Sequence, residues 1–471
     1  MKKLKFLVAL WVGKFLAFLT RLVSKERGTN IPGAYANKIQ KDFIKGFTGI
    51  NYDKTIFITG TNGKSTTNNI IVHTLKTAGK AVTTNIEGAN LIGGIATALI
   101  KNSTLLGKVK TEYICCEIDE RSFARIYEYL PAKNVCITNL QKDQVQRNGE
   151  PDYIYQKLKK VINKDMTIFL NNEEPRAKSF EDMAGKVIYY GVEKNDTSFE
   201  KNDFYDVSLP CPKCNDKIKF NYYNIDNVGN FTCMSCNFKS EENADVCIKN
   251  INFKDKEFEC DERKYQVPYI EPYFIYNYAL CIAICKNFEI EKEKIEEAFK
   301  TFKNIGGRLE TIEYKTKKIK YIRIKQENPE TLQSAFDYIA RDDKPKIFMI
   351  GLEQLVDFKP YYTNTFYAFD CNVDKLIESN IERYISFSEA VAFDTANRLI
   401  YAGIDKNKIS ILPTDSDEEI LKELDKYDCD NVYLITWLHK YEELIRDVAK
   451  MKEAGENNEW IKYSMVLSRY T

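Results

Sequence analysis

The chain has 471 residues, 44% hydrophobic and 29% charged, which suits a multidomain globular protein of about three domains. Its 69 Lys and Arg nearly cancel 68 Asp and Glu, so the net charge of +1 argues against a global basic field for nucleic acid and against an acidic tail. Thirteen cysteines point to reduced thiols in a cytoplasmic protein, and with only His73 and His439 a Cys–His nucleophile pair within the chain is disfavoured.

Lys2, Lys3 and Lys5 precede an apolar stretch, Phe6 to Val23, that Lys14 and Arg21 interrupt and that no small-residue cleavage site follows. Residues 1–50 therefore read as an amphipathic helix and its lead-in, which docks on the body or touches a membrane surface. From residue 55, strand-like runs at Ile56–Thr59, Tyr113–Glu117, Asn134–Thr138 and Thr167–Leu170 alternate with helical patterns. The helices expected are Thr66–Ala78, Ile95–Lys101, Ser122–Tyr129 and Tyr153–Ile162. This is the rhythm of a doubly wound sheet, whose ligands gather at the carboxyl ends of the strands. A small module at 205–245 breaks the rhythm, and helices Ile275–Phe288 and Lys292–Phe302 close a domain spanning 51–305. Residues 306–471 read as a second α/β domain, with strands Ile319–Ile324, Lys346–Ile350, Tyr367–Phe369 and Val432–Ile435. Its helices are expected at Glu330–Ile339, Phe387–Ala402 and Glu418–Tyr427.

Gly60-Thr61-Asn62-Gly63-Lys64-Ser65-Thr66 follows the first of these strands and opens a helix. The glycines let backbone N–H groups face an anion, and the helix N-terminus adds partial positive charge. Lys64 can reach a terminal phosphate and Ser65 a Mg²⁺ ion. Ile58 stands where the full pattern has another Gly, so the loop is a short variant. Glu117 and Glu120 end the next strand, where carboxylates can hold Mg²⁺ or water in its shell, and Asp143 follows the strand after that. Cys211-Pro-Lys-Cys214 and Cys233-Met-Ser-Cys236 are two knuckles whose spacing predicts a closed, structural Zn²⁺ site. Gly306-Gly307-Arg308 is a hinge that can swing a cation onto a γ-phosphate, or an ordinary linker.

These residues together resemble the Mur ligase superfamily, and within it the MurT type. The loop at 59–66 is similar to that superfamily's short P-loop. Thr84–Leu91, Glu117-Ile118-Asp119-Glu120, Thr138–Gln144 with Arg147 and Gly149-Glu150, Leu170–Pro175, Tyr276-Asn277 and Gly307-Arg308 match its other motifs. The four-cysteine insertion separates MurT-like chains from the amino-acid-adding ligases. The resemblance implies a Mur-ligase-like central P-loop domain carrying a zinc-ribbon insertion, followed by the C-terminal α/β domain. It implies ATP, Mg²⁺ and Zn²⁺, with Gly60, Thr61, Asn62, Gly63, Lys64, Ser65, Thr66, Glu117, Glu120 and Asn277 at the nucleotide and Lys64 and Arg308 in catalysis. It implies a GatD-like glutaminase partner and amidation of the D-glutamate α-carboxyl of lipid II through an acyl phosphate, at the inner face of the membrane. In MurT-like chains an Asp of the last domain completes the partner's triad. Asp357 follows the Lys346–Ile350 strand as that acid does, while a gap-free match from Asp370 backward puts Asn364 there. The divergent stretch leaves open an amino-acid-adding or folylpolyglutamate-type ligase, a paralogue with another carboxylate acceptor, and a zinc-bearing scaffold.

Overall fold

Runs such as Thr55-Ile56-Phe57-Ile58-Thr59 are buried at every position, which demands a parallel sheet covered on both faces. The computed structural model describes residues 2–23, 30–85, 89–142, 150–200, 209–303, 309–324, 328–355, 362–363, 368 and 370–451. Chain contacts divide it into two compact units, 1–305 and 306–471.

In the first unit α1 (Lys2–Val23) and α2 (Ile31–Ile39) lead to β1 (Thr55–Thr59), α3 (Lys64–Thr77), β2 (Val82–Thr83), α4 (Ile92–Lys101) and β3 (Tyr113–Glu117). Then come α5 (Phe123–Tyr129), β4 (Asn134–Ile137), α6 (Pro151–Lys159), β5 (Thr167–Asn171), α7 (Pro175–Lys178) and β6 (Lys186–Val192). A hairpin, β7 (Ile218–Ile225) and β8 (Val228–Cys233), stands apart as its own two-stranded sheet. β9 (Val246–Asn252), β10 (Glu257–Cys260) and β11 (Arg263–Gln266) rejoin the main sheet, and α8 (Pro272–Asn287) and α9 (Lys292–Thr301) end the unit.

The main sheet has the order β11-β10-β9-β6-β5-β4-β1-β3-β2, parallel from β9 to β2 and antiparallel at the β10 and β11 edge. One apolar core sits under α3, α8 and α9, and a second under α1, α4, α5 and α6. The N-terminal helix docks on the second core through Phe6, Ala9 and Leu10, with Phe6 packed 5.3 Å from Phe43 and 5.4 Å from Phe47 between ring centroids. Lys14 donates to the carbonyls of Ile100 (2.7 Å) and Ser103 (2.8 Å), satisfying acceptors at the end of α4.

The second unit holds β12 (Leu309–Tyr314), β13 (Lys317–Ile322), α10 (Pro329–Ala340), β14 (Lys346–Gly351), the short β15 (Gln354–Leu355) and β16 (Tyr362–Thr363), and α11 (Asp374–Glu378). β17 (Ile381–Phe387), α12 (Ala392–Tyr401), β18 (Ile409–Leu412), α13 (Asp417–Leu424) and β19 (Asn431–Ile435) follow. Its sheet runs β12-β13-β19-β14-β17-β18, with only β12 antiparallel. The helix expected from Phe387 begins instead at Ala392. Phe387 closes β17, whose inward side chains pair between β14 and β18, and Ser388 makes the turn. Of the strand expected at Tyr367–Phe369 only Ala368 is described, and it is helical, because a short apolar run does not fix its own period.

Candidate active site

β1 brings the chain to the carboxyl edge of the sheet at Thr59, and residues 60–63 turn there before α3 starts at Lys64. Gly60 has φ +123° and Gly63 φ +85°, conformations that a side chain disfavours. A Cβ on Gly60 would lie 2.3 Å from Thr138 Oγ1, and one on Gly63 2.7 Å from Asn277 Oδ1. The end of β4 holds the loop. Thr61 N donates to the Asn139 carbonyl (2.8 Å), Asn62 N to Asn139 Oδ1 (2.9 Å) and Asn62 Nδ2 to Gln141 Oε1 (2.7 Å). Gln141 N donates back to Thr61 Oγ1 at 2.9 Å. Lys64, Ser65 and Thr66 thus form the first turn of a helix at the sheet edge, where phosphates bind.

The two carboxylates after β3 have separate partners. Lys64 Nζ donates to Glu120 Oε1 (2.9 Å), to the Thr61 carbonyl (2.9 Å) and to the Gly60 carbonyl, and the Lys64 and Glu120 side chains are only 7% and 9% exposed. Burial pushes the Glu120 carboxyl up, while the Lys64 ammonium opposes that shift. Ser65 Oγ donates to Glu117 Oε2 (2.6 Å) and Asn90 Nδ2 to Glu117 Oε1 (3.0 Å). Asn85 bonds both the N–H and the carbonyl of Glu117, at 2.9 and 2.7 Å. A hydroxyl and a fixed carboxylate side by side are the hard oxygen donors that Mg²⁺ takes.

Beside the loop lies a pocket lined by Asn62, Gly63, Tyr190, Tyr273, Tyr276 and Asn277. Ile225 and Val228, at the tip of the β7–β8 hairpin, complete its wall. Asn277 reaches the loop from α8, accepting from Thr67 Oγ1 at 3.0 Å. Its free space, about 20 Å³, is that of a single water, so the slot as it stands is a packed wall of the loop and not a cavity for a nucleotide base.

The turn after β5 plays a part that sequence reasoning missed. Glu173 accepts from Val192 N (3.0 Å) and from Tyr276 Oη (2.5 Å), and its own carbonyl accepts Gly229 N of the hairpin (2.9 Å). Burial pushes its carboxyl up to about 7. Asn224 of the hairpin donates to the Val192 carbonyl (2.9 Å) and Tyr276 Oη (3.0 Å), so Glu173, Tyr276 and Asn224 form one network behind the pocket. The available signal was a carboxylate pair, Glu173-Glu174, ending an apolar strand. The neighbouring Glu174 caps α7, accepting from Ala177 N at 2.7 Å.

At the other end of the hairpin, Cys211, Cys214, Cys233 and Cys236 bring their Sγ atoms within 4.8 Å of one another. Cys211 to Cys236 is 3.7 Å and Cys214 to Cys233 is 3.4 Å. Four thiolates on a tetrahedron about 2.3 Å from a zinc ion sit roughly 3.8 Å apart, so this donor set fits Zn²⁺. Of the other nine cysteines, Cys115, Cys116, Cys136, Cys281 and Cys285 are buried in the first unit. Asp143, Arg147, Arg308 and Asp357 lie outside the described residues, and Asp370 is half-buried in the second unit.

Residues 58–233 match the Mur ligase middle domain, and residues 326–439 match the MurT ligase C-terminal domain. A Staphylococcus aureus (strain COL) protein named lipid II isoglutaminyl synthase (glutamine-hydrolyzing) subunit MurT is 28% identical over 388 residues, 80% of this chain and 84% of that protein. The Streptococcus pneumoniae (strain ATCC BAA-255 / R6) protein of the same name is 27% identical over 414 residues, 87% of this chain and 90% of that one. Among solved structures, a pseudomurein peptide ligase type C from Methanothermus fervidus shares the fold with a TM-score of 0.64 at 18% identity, over 89% of this chain and 83% of that one. With a short phosphate loop on a parallel sheet, a four-cysteine module and both domain matches in order, the chain belongs to the Mur ligase superfamily and is of its MurT type.

Proposed function

We propose that this chain is the ATP-consuming subunit of a glutamine-dependent carbon–nitrogen ligase that amidates the D-glutamate α-carboxyl of lipid II. The observation that carries the reading is the pairing of the phosphate loop with two different carboxylates, Lys64 with Glu120 and Ser65 with Glu117. The relatives' name supplies the acceptor and the use of glutamine.

The amides from Gly63 to Thr66 at the start of α3, with Lys64, take the phosphates, and Asn277 contacts the nucleotide beside them. Ser65 and Glu117 would hold Mg²⁺, whose charge would offset that of the phosphates. The acceptor carboxylate attacks the γ-phosphorus, ADP leaves, and an acyl phosphate results. Ammonia then attacks the acyl carbon, a proton is lost, and phosphate departs, leaving the amide. Arg308 supplies a second cation to the transferring phosphoryl group. No Cys–His pair for releasing ammonia from glutamine was read in this chain, so we assign that step to a GatD-like glutaminase. Asp357 orients the imidazole of that partner.

The test is turnover of lipid II with purified chain and glutaminase, with glutamine, ammonium or amino acids as donor. Amide formation with glutamine and with ammonium is expected, and none with amino acids. Asp357→Asn should lower the glutamine-driven rate by about 10⁴-fold and spare the ammonium-driven one. Ligation of an amino acid would replace this reading with that of an amino-acid-adding enzyme.

A further inference from the structure

The N-terminal helix uses only one of its faces in docking. Phe6, Ala9, Leu10 and Ala17 are buried against the body. On the other side Leu4, Val8, Trp11, Phe15, Phe18 and Leu22 follow one another at helical spacings of three and four, and all are exposed, Leu4 by 67%, Phe15 by 62% and Leu22 by 69%. They make one continuous stripe about 27 Å long. The loop after α4 extends it. Trp11 Nε1 donates to the Leu105 carbonyl at 2.9 Å, and Leu105 and Leu106 are 67% and 73% exposed.

Charge decides the occupant. The helix has no acidic residue, and its exposed Lys2, Lys3, Lys5 and Arg21 flank the apolar stripe at both ends. A chain with balanced charge overall therefore presents, on this helix, apolar side chains flanked by the helix's own cations. That combination suits the headgroup region of an anionic bilayer, with Trp11 at the polar boundary. No helix among the described residues is long and apolar enough to cross a membrane, and a helix fixed to the body along Phe6, Ala9 and Leu10 lies along a surface instead.

We propose that the exposed face of this helix, with Leu105 and Leu106, binds the surface of anionic lipid membranes. The attachment does not depend on the reaction proposed above, so its test reads binding alone. The full chain should sediment with vesicles of equal parts phosphatidylglycerol and phosphatidylcholine, and added salt should weaken this. Trp11 emission should shift to the blue. The double variant Phe15→Glu with Phe18→Glu should bind at least about tenfold more weakly, with an unchanged melting midpoint because both side chains face solvent. Lys3→Gln and Lys5→Gln should each weaken binding about fivefold. Failure to sediment with the anionic vesicles, or equal sedimentation of the double variant, overturns the proposal. So does a dimer in solution that the double variant splits into monomers, since the stripe would then be an interface between copies of the chain.

Discussion

Two polar turns of the first unit are held in place by different means. Residues 60–67 sit on β1 and β4, whose strand residues are all buried, and are tied to Asn139, Gln141, Glu117, Glu120 and Asn277 by separate bonds. The cysteine module hangs on a two-stranded hairpin with a small apolar cluster of Cys211, Ile218, Phe231, Cys233 and Phe238. A hairpin of that size is marginal alone, and a metal held by the four cysteines would supply folding energy to it. Substitutions in the loop therefore separate chemistry from stability, whereas substitutions in the module do not.

The largest effect expected is that of Lys64→Ala, which should lower ADP release by about 10³-fold or more. Glu120, already displaced by burial toward its neutral form, takes up a proton and limits the cost to the fold. Circular dichroism should be unchanged, and undiminished turnover would remove Lys64 from the chemistry. Glu117→Gln comes next, with a loss of about 10²-fold at limiting Mg²⁺ and a smaller change in nucleotide affinity. An equal loss in both would mean that Glu117 serves the nucleotide and not the metal.

Cys233→Ser tests the other half of the contrast. Purified protein should carry one zinc per chain, and the variant should lose it. Nucleotide affinity should fall as well, because Val228 and Ile225 of the same hairpin pack beside Asn62 and Gly63 of the loop. Retention of zinc in the variant would break the four-cysteine assignment.

The last effect concerns pH. Glu173 holds its proton more tightly folded than unfolded, about 7 against an ordinary 4.5. Its contribution to stability is therefore complete below about pH 4.5 and is lost as pH rises toward about 7. Glu173→Gln cannot titrate, so the gap between parent and variant should shift in the variant's favour between about pH 5 and pH 7, as read from urea midpoints. A constant gap would show that Glu173 is ionised throughout.

The phosphate loop was legible because its signals are local: a strand, two glycines and a lysine within a few residues. The knuckles were legible because their spacing alone selects a tetrahedral ligand. Which carboxylate after β3 faces Ser65 and which faces Lys64 depends on side-chain direction at the strand end, so the sequence showed only a cluster. Glu173 depends on Tyr276, a hundred residues on, and no local pattern announces that meeting. Strand β17 hid behind two successive charges, the exposed Glu382 and the half-buried Arg383, which bonds Ser410 and Tyr427. The N-terminal helix read as amphipathic, and only packing against Phe43 and Phe47 showed which side chains dock.

The hairpin β7–β8 has a further consequence. It carries Cys233 at one end and Ile225 and Val228, beside Asn62 and Gly63 of the loop, at the other, so a single short ribbon links the candidate metal site to the candidate phosphate loop. Thermodynamic linkage makes such coupling reciprocal. Whatever factor zinc adds to nucleotide affinity, bound nucleotide must add to zinc affinity. A chelator should then strip the metal from the nucleotide-free chain first, which makes zinc release a gauge of nucleotide occupancy.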